Sequence, residues 1–190
     1  LLEHLLLNNA QIVGICSTKS SEWNADYCDL SRLADSYNIP LHLTSDLESY
    51  SSLKWIRKIG ADIIFCFGWS RIIKSRILSI APMGVVGYHP TLLPKNRGRH
   101  PIIWALVLGL DVTGSTFFFL DDGVDSGPII SQKKVEITAC ECAGTLYEKL
   151  IETAKYQLSD IMHALSRGEL VGTEQNESIA TYWRKRTPSD

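Results

Sequence analysis

Short hydrophobic runs and longer amphipathic stretches alternate along the first half of the chain. Runs rich in β-branched residues occur at Ile12–Cys16, Ile63–Phe67 and Val85–Tyr88. Helical spacing of apolar residues occurs at Ser31–Tyr37, Ser51–Ile59 and Arg71–Leu78. Continuous apolar strands that alternate with helices are typical of a parallel sheet covered on both faces. We therefore expect an α/β fold whose sheet is mostly parallel and carries helices on both faces.

The pattern changes in the second half of the chain. An apolar helix is predicted over Pro101–Leu108, because proline suits the first helical turn and a glycine follows the last. Thr116–Leu120 and Ile129–Val135 have the character of paired strands joined by a turn-rich loop, which makes the predicted sheet mixed. From Thr145 to Leu165 apolar residues recur at helical spacing, which predicts a long amphipathic helix.

The first residues do not fit the usual start of an α/β domain. The sequence begins without methionine, and Leu1–Leu7 has helical spacing before the Ile12–Cys16 run. Because such domains normally start with a strand, we expect that a first strand is missing from the sequence. The 190 residues suit one domain over 1–190.

Composition and charge exclude several classes of protein. The chain is 45% hydrophobic and 21% charged, as in ordinary globular proteins, and its net charge is -2. No stripe of Lys and Arg alternates with aromatic residues, so we expect no long nucleic acid as partner. No apolar run approaches the length of a membrane span. The five cysteines form no CxxC pair, and Cys140-Glu-Cys142 is a poor zinc template, so we expect reduced thiols, no metal and a cytoplasmic protein.

A histidine and two turn-rich loops are the candidate chemistry of the chain. The Val85–Tyr88 run should deliver His89 to the carboxyl end of the sheet, where open α/β folds bind ligands. The segment Pro90–Gly98, stiffened by two prolines, can form a cleft wall of fixed shape. A second loop, Asp121–Gly127, is rich in aspartate and glycine. It is not a calcium loop, because its twelfth position is Gln132 where a glutamate is needed.

Several short motifs in this region occur in a characteristic order and spacing. In chain order they are His89-Pro-Thr-Leu-Leu-Pro94, Arg97-Gly98, Pro101, Trp104-Ala105, Thr113-Gly114 and Asp125-Ser-Gly-Pro-Ile-Ile130. Together they resemble the signature of the 10-formyltetrahydrofolate-dependent formyltransferase superfamily, strongly over about residues 84–150 and more loosely in the N-terminal third. The superfamily includes methionyl-tRNA, glycinamide ribonucleotide and nucleotide-sugar formyltransferases. The resemblance implies a Rossmann-like catalytic domain.

The resemblance also implies a folate-dependent enzyme of one-carbon metabolism. An acceptor amine attacks the formyl carbon of 10-formyltetrahydrofolate, so the site needs an oxyanion stabiliser and a proton acceptor. Carried over by position, His89 is the catalytic histidine. Asp125 is the aspartate that orients it and helps to move the proton.

The resemblance also assigns ligand-binding roles to residues of this chain by their position in the motifs. The folate pocket would be lined, largely through backbone groups, by Trp69, Thr91, Leu92, Leu93, Pro94, Asp121, Asp122, Gly123 and Val124. Trp69 could equally close the core, and the side chains of Asp121 and Asp122 fit a solvated turn. Substrate would contact Lys95, Asn96 and Arg97 unless they only solvate the loop, and the Arg97 fork suits a phosphate or carboxylate.

One position departs from the family pattern. The family has an asparagine two residues before the histidine, where its amide helps to bind the formyl oxygen, and this chain has Gly87. Loss of such a donor removes about 3 kcal/mol of transition-state stabilisation. Either Asn96 or a backbone N–H replaces it, or the chain is a weak or inactive transferase.

The acceptor is the least determined part of this interpretation. Arg97-Gly98, Pro101, Trp104 and the ending Tyr182–Pro188 look like the methionyl-tRNA and nucleotide-sugar branches, which continue beyond this ending, so we expect a C-terminal extension. The tRNA enzymes add a basic domain that this near-neutral chain lacks. Our first choice is therefore a nucleotide-linked amino sugar, formylated for glycan biosynthesis, and a homodimer is left open. The alternatives are a methionyl-tRNA formyltransferase core, a formyltetrahydrofolate hydrolase and a non-catalytic folate-fold module.

Overall fold

Helices and strands alternate along the chain in the computed structural model, which describes residues 1–19, 27–69, 71–187 and 189. Pro188, the last residue of the ending compared above, lies outside the described residues. The chain divides into two units, one formed by Leu2–Val85 and the other by Leu1 with Val86–Asp190. That residues 1–190 form a single domain stays a prediction.

The described part of the N-terminal unit contains four short helices and three short strands. They are α1 (Leu2–Leu7), β1 (Ile15–Ser17), α2 (Ser31–Ser36), β2 (Leu41–Leu43), α3 (Tyr50–Ile59), β3 (Ile64–Cys66) and α4 (Ser75–Leu78). β1 pairs with β2 in parallel, with Ile15 opposite Leu41. Helix α3 begins where the Ser49 side chain accepts the Ser52 N–H and ends at Gly60, whose positive φ suits a left-handed cap.

One predicted helix of this unit needs correction, and one of its strands was not predicted. The predicted helix Arg71–Leu78 is helical only from Ser75, because Lys74 has an extended backbone. The residues before it make tertiary contacts instead: Ile73 is buried, and the Arg71 guanidinium donates to the Ser45 carbonyl at 2.7 Å. Strand β2 was not predicted, since three residues are too short to show a pattern.

The C-terminal unit holds three strands of the larger sheet and the longest of the described helices. Its elements are β4 (Val85–His89, whose first residue ends the other unit), β5 (Arg97–Gly98), α5 (Pro101–Val107), β6 (Val112–Phe119), β7 (Ile129–Glu136), α6 (Ala143–Ser166), a 3-10 turn (Glu177–Ile179) and β8 (Tyr182–Trp183). β4 and β7 both pair antiparallel with β6, and β5 pairs in parallel with β8. The predicted strand pair is confirmed, and so is the mixed α/β class.

Helix α6 covers one face of the sheet in this unit. Its buried residues recur every three or four positions, as the sequence predicted: Leu146, Leu150, Ala154, Leu158 and Ile161. Tyr88 lies on the covered face, because its hydroxyl donates to the Leu150 carbonyl at 3.4 Å. Since successive strand residues point to opposite faces, His89 lies on the face away from α6. None of the described helices is long and apolar enough to cross a membrane.

Candidate functional site

His89 ends strand β4 with both ring nitrogens facing oxygen acceptors. Its side chain is almost completely buried, with 6% of the residue exposed. Nε2 lies 2.9 Å from the backbone carbonyl oxygen of Asn96, and Nδ1 lies 3.6 Å from Oδ2 of Asp125. The second distance is that of an ion pair and is too long for a good hydrogen bond. A neutral imidazole can donate to only one of these acceptors, whereas the imidazolium can donate to both.

Asp125 is fixed in the loop between β6 and β7. Its backbone has a φ of 51°, a left-handed conformation that aspartate adopts more readily than most residues. The N–H of Gly98 donates to Oδ2 at 2.8 Å. The same carboxylate oxygen therefore faces His89 and accepts a backbone hydrogen bond, so contacts within the protein orient the aspartate. Sequence reasoning found both side chains but missed the two backbone groups of Asn96 and Gly98.

The loop after His89 is fastened to the neighbouring strands by its backbone. The hydroxyl of Thr116 donates to the Thr91 carbonyl at 2.6 Å, and Nε2 of Gln132 donates to the Leu93 carbonyl at 2.9 Å. The side chains of Thr91 and Leu93 are buried, while Leu92 and Pro94 are partly exposed. Leu92 and Pro94 can therefore contact a ligand through their side chains. Thr91 and Leu93 instead help to hold the loop in place.

The loop before Asp125 is ordered from within. The Asp121 carboxylate accepts the Gly123 N–H at 3.0 Å and the Ser126 hydroxyl at 2.8 Å. This geometry is typical of an aspartate that stabilises a turn. Asp122, Gly123 and Val124 are exposed. The Asp121 side chain thus shapes the loop, and the three exposed residues are the ones that a ligand can reach.

The three residues predicted to bind substrate differ in what they can offer. Lys95 is exposed. The side-chain oxygen of Asn96 accepts from the Thr181 hydroxyl at 3.2 Å, and the Asn96 N–H donates to the same hydroxyl at 2.8 Å. Arg97 is fully buried, with 0% of the residue exposed.

The fork of Arg97 is already occupied by protein acceptors. Its nitrogens donate to Gln175 at 2.8 and 3.2 Å, to Glu177 at 2.9 Å and to the Tyr182 hydroxyl at 2.7 Å. The hydrogen bonds that Arg97 donates to Glu177 raise the pKa of the guanidinium, and they lower the pKa of Glu177 in turn. A substrate anion would have to displace these partners. Direct binding of substrate by Arg97 stays a prediction, and these hydrogen bonds favour a structural role instead.

Gly87 lies on the same face of β4 as His89, and the space beside it is filled. A Cβ at this position would lie 2.5 Å from Cδ2 of Leu120 and 3.2 Å from Cε1 of Phe118. The side chains of Leu120 and Phe118 thus occupy the room that an asparagine side chain would need, and they would have to shift to admit one. Replacement of its amide by Asn96 or by a backbone N–H stays a prediction.

Trp69 belongs to the N-terminal unit, so its relation to His89 stays a prediction. In that unit it lines a small cavity of about 40 Å³ together with Glu48 and Arg71. Pockets for ligands of folate size are usually several hundred cubic ångströms. Within residues 1–19, 27–69, 71–187 and 189, no three His, Cys, Asp or Glu side chains are grouped to hold a metal ion.

The chemical capacity of the site follows from its geometry. A nearly buried imidazole beside a carboxylate can carry a positive charge, donate to an oxygen that becomes negative and exchange a proton with a neighbouring group. Electrostatic stabilisation of this kind is stronger in a water-poor environment than in bulk water. The arrangement suits acyl or formyl transfer, in which an oxyanion forms and a proton must leave.

Comparison with known proteins places the chain among sequences of one family. The family model described as formyl transferase matches residues 9–162. A methionyl-tRNA formyltransferase from Kosmotoga olearia is 34% identical over 161 residues, which is 85% of this chain and 52% of that protein. The chain therefore spans about half the length of this curated relative.

Solved structures share the fold at lower sequence identity. A phosphoribosylglycinamide formyltransferase from Anaplasma phagocytophilum superposes with a TM-score of 0.76 at 21% identity, covering 97% of this chain and 93% of that one. An N-formyltransferase from Helicobacter canadensis, in complex with folinic acid and dTDP-3-aminofucose, gives 0.74 at 19% identity and covers 97% and 65%. At these identities the likeness concerns the fold alone, and it confirms the expected architecture.

Proposed function

Because the chain belongs to the formyl transferase family, we propose that it is a folate-dependent N-formyltransferase acting on an amino sugar. The formyl group comes from 10-formyltetrahydrofolate and goes to the primary amine of a nucleotide-linked sugar, giving a formamido sugar for glycan biosynthesis. The observation that carries this proposal is the distance of 3.6 Å between His89 Nδ1 and Asp125 Oδ2. Both residues belong to sequence motifs that occur in the same order as in the formyltransferase family.

His89 and Asp125 divide the work between them. The formyl donor supplies an electrophilic carbon whose oxygen becomes negative when the amine adds. His89, as imidazolium, keeps its Nε2–H on the Asn96 carbonyl and donates its Nδ1–H to that oxygen, while the Asp125 carboxylate orients the ring. Asp125 accepts the proton that the amine nitrogen loses, directly or through a water molecule. The bond from the formyl carbon to the folate nitrogen then breaks, and that nitrogen takes up a proton.

The two loops around His89 and Asp125 supply the surface for the folate. The partly exposed Leu92 and Pro94 and the exposed Val124 offer apolar contacts of the kind a ring system needs. Backbone groups of Asp121, Asp122 and Gly123 are the polar candidates. Trp69 remains a proposed contact from the N-terminal unit.

Lys95 and Asn96 are the proposed contacts for the acceptor. Lys95 is exposed and can meet a phosphate, and the Asn96 side chain lies beside the carbonyl that holds His89. Support for a sugar acceptor comes from the Helicobacter canadensis structure, whose complex contains dTDP-3-aminofucose. The net charge of -2 is also closer to that of a small-molecule enzyme than to that of a tRNA-binding one.

Methionyl-tRNA is the second candidate acceptor. The observation that favours it is the 34% identity with a methionyl-tRNA formyltransferase, which is higher than the 19% identity with the Helicobacter canadensis enzyme. That relative is about twice as long as the matched segment. If methionyl-tRNA is the acceptor, RNA contacts would come mainly from residues outside this chain.

A panel of acceptors separates these functions. The protein is incubated with 10-formyltetrahydrofolate and, in separate reactions, with amino-sugar nucleotides, methionyl-tRNA or no acceptor, and release of tetrahydrofolate is followed. We expect release that depends on an amino-sugar nucleotide. Release with methionyl-tRNA alone would favour the second candidate, and release without acceptor would favour the hydrolase. Binding of tetrahydrofolate with no release in any reaction would favour a non-catalytic module.

A further inference from the structure

We infer, on the basis of the formyl transfer proposed above, that Gln175 is a positioning residue that fixes Asp125, and that Arg97 fixes Gln175. Gln175 lies 50 residues after Asp125, in a segment that the sequence did not mark as functional. Neither Gln175 nor Arg97 contacts the reacting atoms in this role. They act by holding the backbone that carries the carboxylate.

The side-chain amide of Gln175 spans the turn that contains Asp125. Its Nε2 donates to the Asp125 carbonyl at 2.9 Å and to the Gly127 carbonyl at 2.7 Å. Asp125 has a left-handed backbone, and a residue other than glycine keeps such a conformation only when its surroundings hold it. Both donors of one amide therefore hold the carbonyls on either side of Ser126, in the turn that orients the carboxylate.

Arg97 determines which way this amide points. The side-chain oxygen of Gln175 accepts from Nε and Nη2 of Arg97, at 3.2 and 2.8 Å. A flipped amide would place its NH₂ group against the guanidinium and its oxygen against two carbonyls, which is unfavourable at every contact. Glu177 and the Tyr182 hydroxyl hold the rest of the guanidinium, and its carbon lies 5.5 Å from the centre of the Tyr182 ring.

The same short strand also holds the Asp125 side chain. Gly98, the second residue of β5, donates its N–H to Asp125 Oδ2 at 2.8 Å. β5 is in turn fixed by β8, with Arg97 paired to Tyr182 and Gly98 to Trp183. The backbone of Asp125 is thus held through the Arg97 side chain and Gln175, and its carboxylate is held by the next residue of the strand.

The predicted consequence is specific for the chemical step. If the turn relaxes, the carboxylate changes its distance from His89 Nδ1, which is 3.6 Å in this structure. A misplacement of about 1 Å in a reacting constellation can lower the rate on the order of 100-fold. The two groups to which Gln175 donates, in Asp125 and Gly127, are not among the proposed folate contacts, so we expect the KM for the formyl donor to change little.

Two substitutions test the amide, one by removing its donors alone and the other by removing its donors and its acceptor. Gln175→Glu keeps oxygens that accept from Arg97 but removes the donors to Asp125 and Gly127. Gln175→Met has similar length, adds no charge and removes both functions. In each variant we expect kcat to fall at least about tenfold while the KM for 10-formyltetrahydrofolate stays within about twofold. Glu174→Gln, an exposed neighbour, serves as the matched control and should keep wild-type kinetics.

A second readout does not depend on activity. The Gly98 amide proton and the His89 ring protons are followed by NMR over a range of pH in the wild-type protein and in both Gln175 variants. We expect faster exchange of the Gly98 amide and changed chemical shifts of the His89 ring protons in the variants, with the fold intact by circular dichroism. If the wild-type protein transfers no formyl group, the proposed function is wrong. The NMR comparison would then still test whether Gln175 positions Asp125. Wild-type kcat, or unchanged NMR behaviour of Gly98 and His89 in folded variants, would overturn the inference.

Discussion

The two faces of strand β4 use neighbouring residues for different purposes. Tyr88 and His89 are adjacent in the chain and point to opposite sides of the sheet. Tyr88 packs against Phe117, with ring centroids 5.0 Å apart, donates to the Leu150 carbonyl and accepts from the Ser115 hydroxyl. Burial raises the pKa of Tyr88 to about 12, so its hydroxyl stays neutral. This face is a packed interior that binds the sheet to helix α6.

The face of His89 is built differently. Its polar partners come from loops: the Asn96 carbonyl on one side and the Asp125 carboxylate on the other. The imidazole and the carboxylate can carry charge, and both lie at the carboxyl end of the strand. One strand can thus contribute to stability through one face and to the proposed chemistry through the other. Substitutions should therefore separate along these two faces.

The largest effect is expected for Asp125→Asn. The change keeps an oxygen that can accept from Gly98 but removes the charge and the proton acceptor. We expect kcat/KM for formyl transfer to fall by about 1000-fold, because the general base and the electrostatic effect of its negative charge are lost together. Asp160→Asn, on the exposed side of α6, is the matched control. A loss of stability as large as the loss of rate would contradict the division between the faces.

The next largest effect is expected for Arg97→Ala, and it concerns stability. The substitution removes a fully buried side chain with hydrogen bonds to three residues. We expect the free energy of unfolding in urea to fall by about 2–4 kcal/mol. Arg97→Lys should keep part of the stability, because it retains the charge but loses the fork. A folded alanine variant with wild-type stability would show that the network is not structural.

The Arg97–Glu177 pair also predicts a dependence on pH. Arg97 lowers the pKa of Glu177 from its ordinary value of 4.5. A carboxyl with a depressed folded pKa stabilises the protein above the unfolded pKa, and this stability is lost as the pH falls through the folded value. Melting temperatures should therefore drop more steeply below about pH 4.5 in the wild type than in Glu177→Gln. Parallel curves would show that the pair contributes nothing.

A smaller effect is expected for Gly87→Asn. The new Cβ would meet Leu120 Cδ2 at 2.5 Å, so the leucine side chain has to move. We expect a loss of about 1–2 kcal/mol in the free energy of unfolding. The double variant with Leu120→Ala should regain most of it, because the space is then free. If the single variant is as stable as the wild type, the space beside Gly87 is not filled as described.

The smallest effect is expected for Tyr88→Phe. The ring and its packing against Phe117 remain, and only the hydroxyl with its two hydrogen bonds is lost. We expect about 1 kcal/mol of lost stability and a kcat within about twofold of the wild type. A tenfold loss of kcat would place Tyr88 in the chemistry and would undo the comparison of the two faces.

Sequence reasoning reached the parts of the fold and site that are encoded locally. The strand before His89, the helix α6 and the Asp125 loop were predicted, because hydrophobic periodicity and turn residues mark them directly. The partners of Arg97 were not predicted, because Gln175 and Glu177 lie 78 and 80 residues later in the chain. No local pattern indicates contacts over such distances.

Other features escaped prediction for different physical reasons. The groups that hold His89 and Asp125 include a carbonyl of Asn96 and an N–H of Gly98, and every residue has such backbone atoms. Residue type therefore gives no signal for them. The filling of the space beside Gly87 by Leu120 depends on how two strands pack, which becomes visible only in three dimensions. Strands of two or three residues, such as β2 and β8, are too short for periodicity.

The most direct test of the central claim follows the formyl carbon itself. Wild-type protein and His89→Ala are each incubated with 10-formyltetrahydrofolate labelled with ¹³C in the formyl group and with an amino-sugar nucleotide, and the label is followed by NMR. The wild-type protein should move the label into a formamide on the sugar, with one tetrahydrofolate released per formamide. The folded His89→Ala variant should leave the label on the folate. Formation of the labelled formamide by His89→Ala at the wild-type rate would contradict the account.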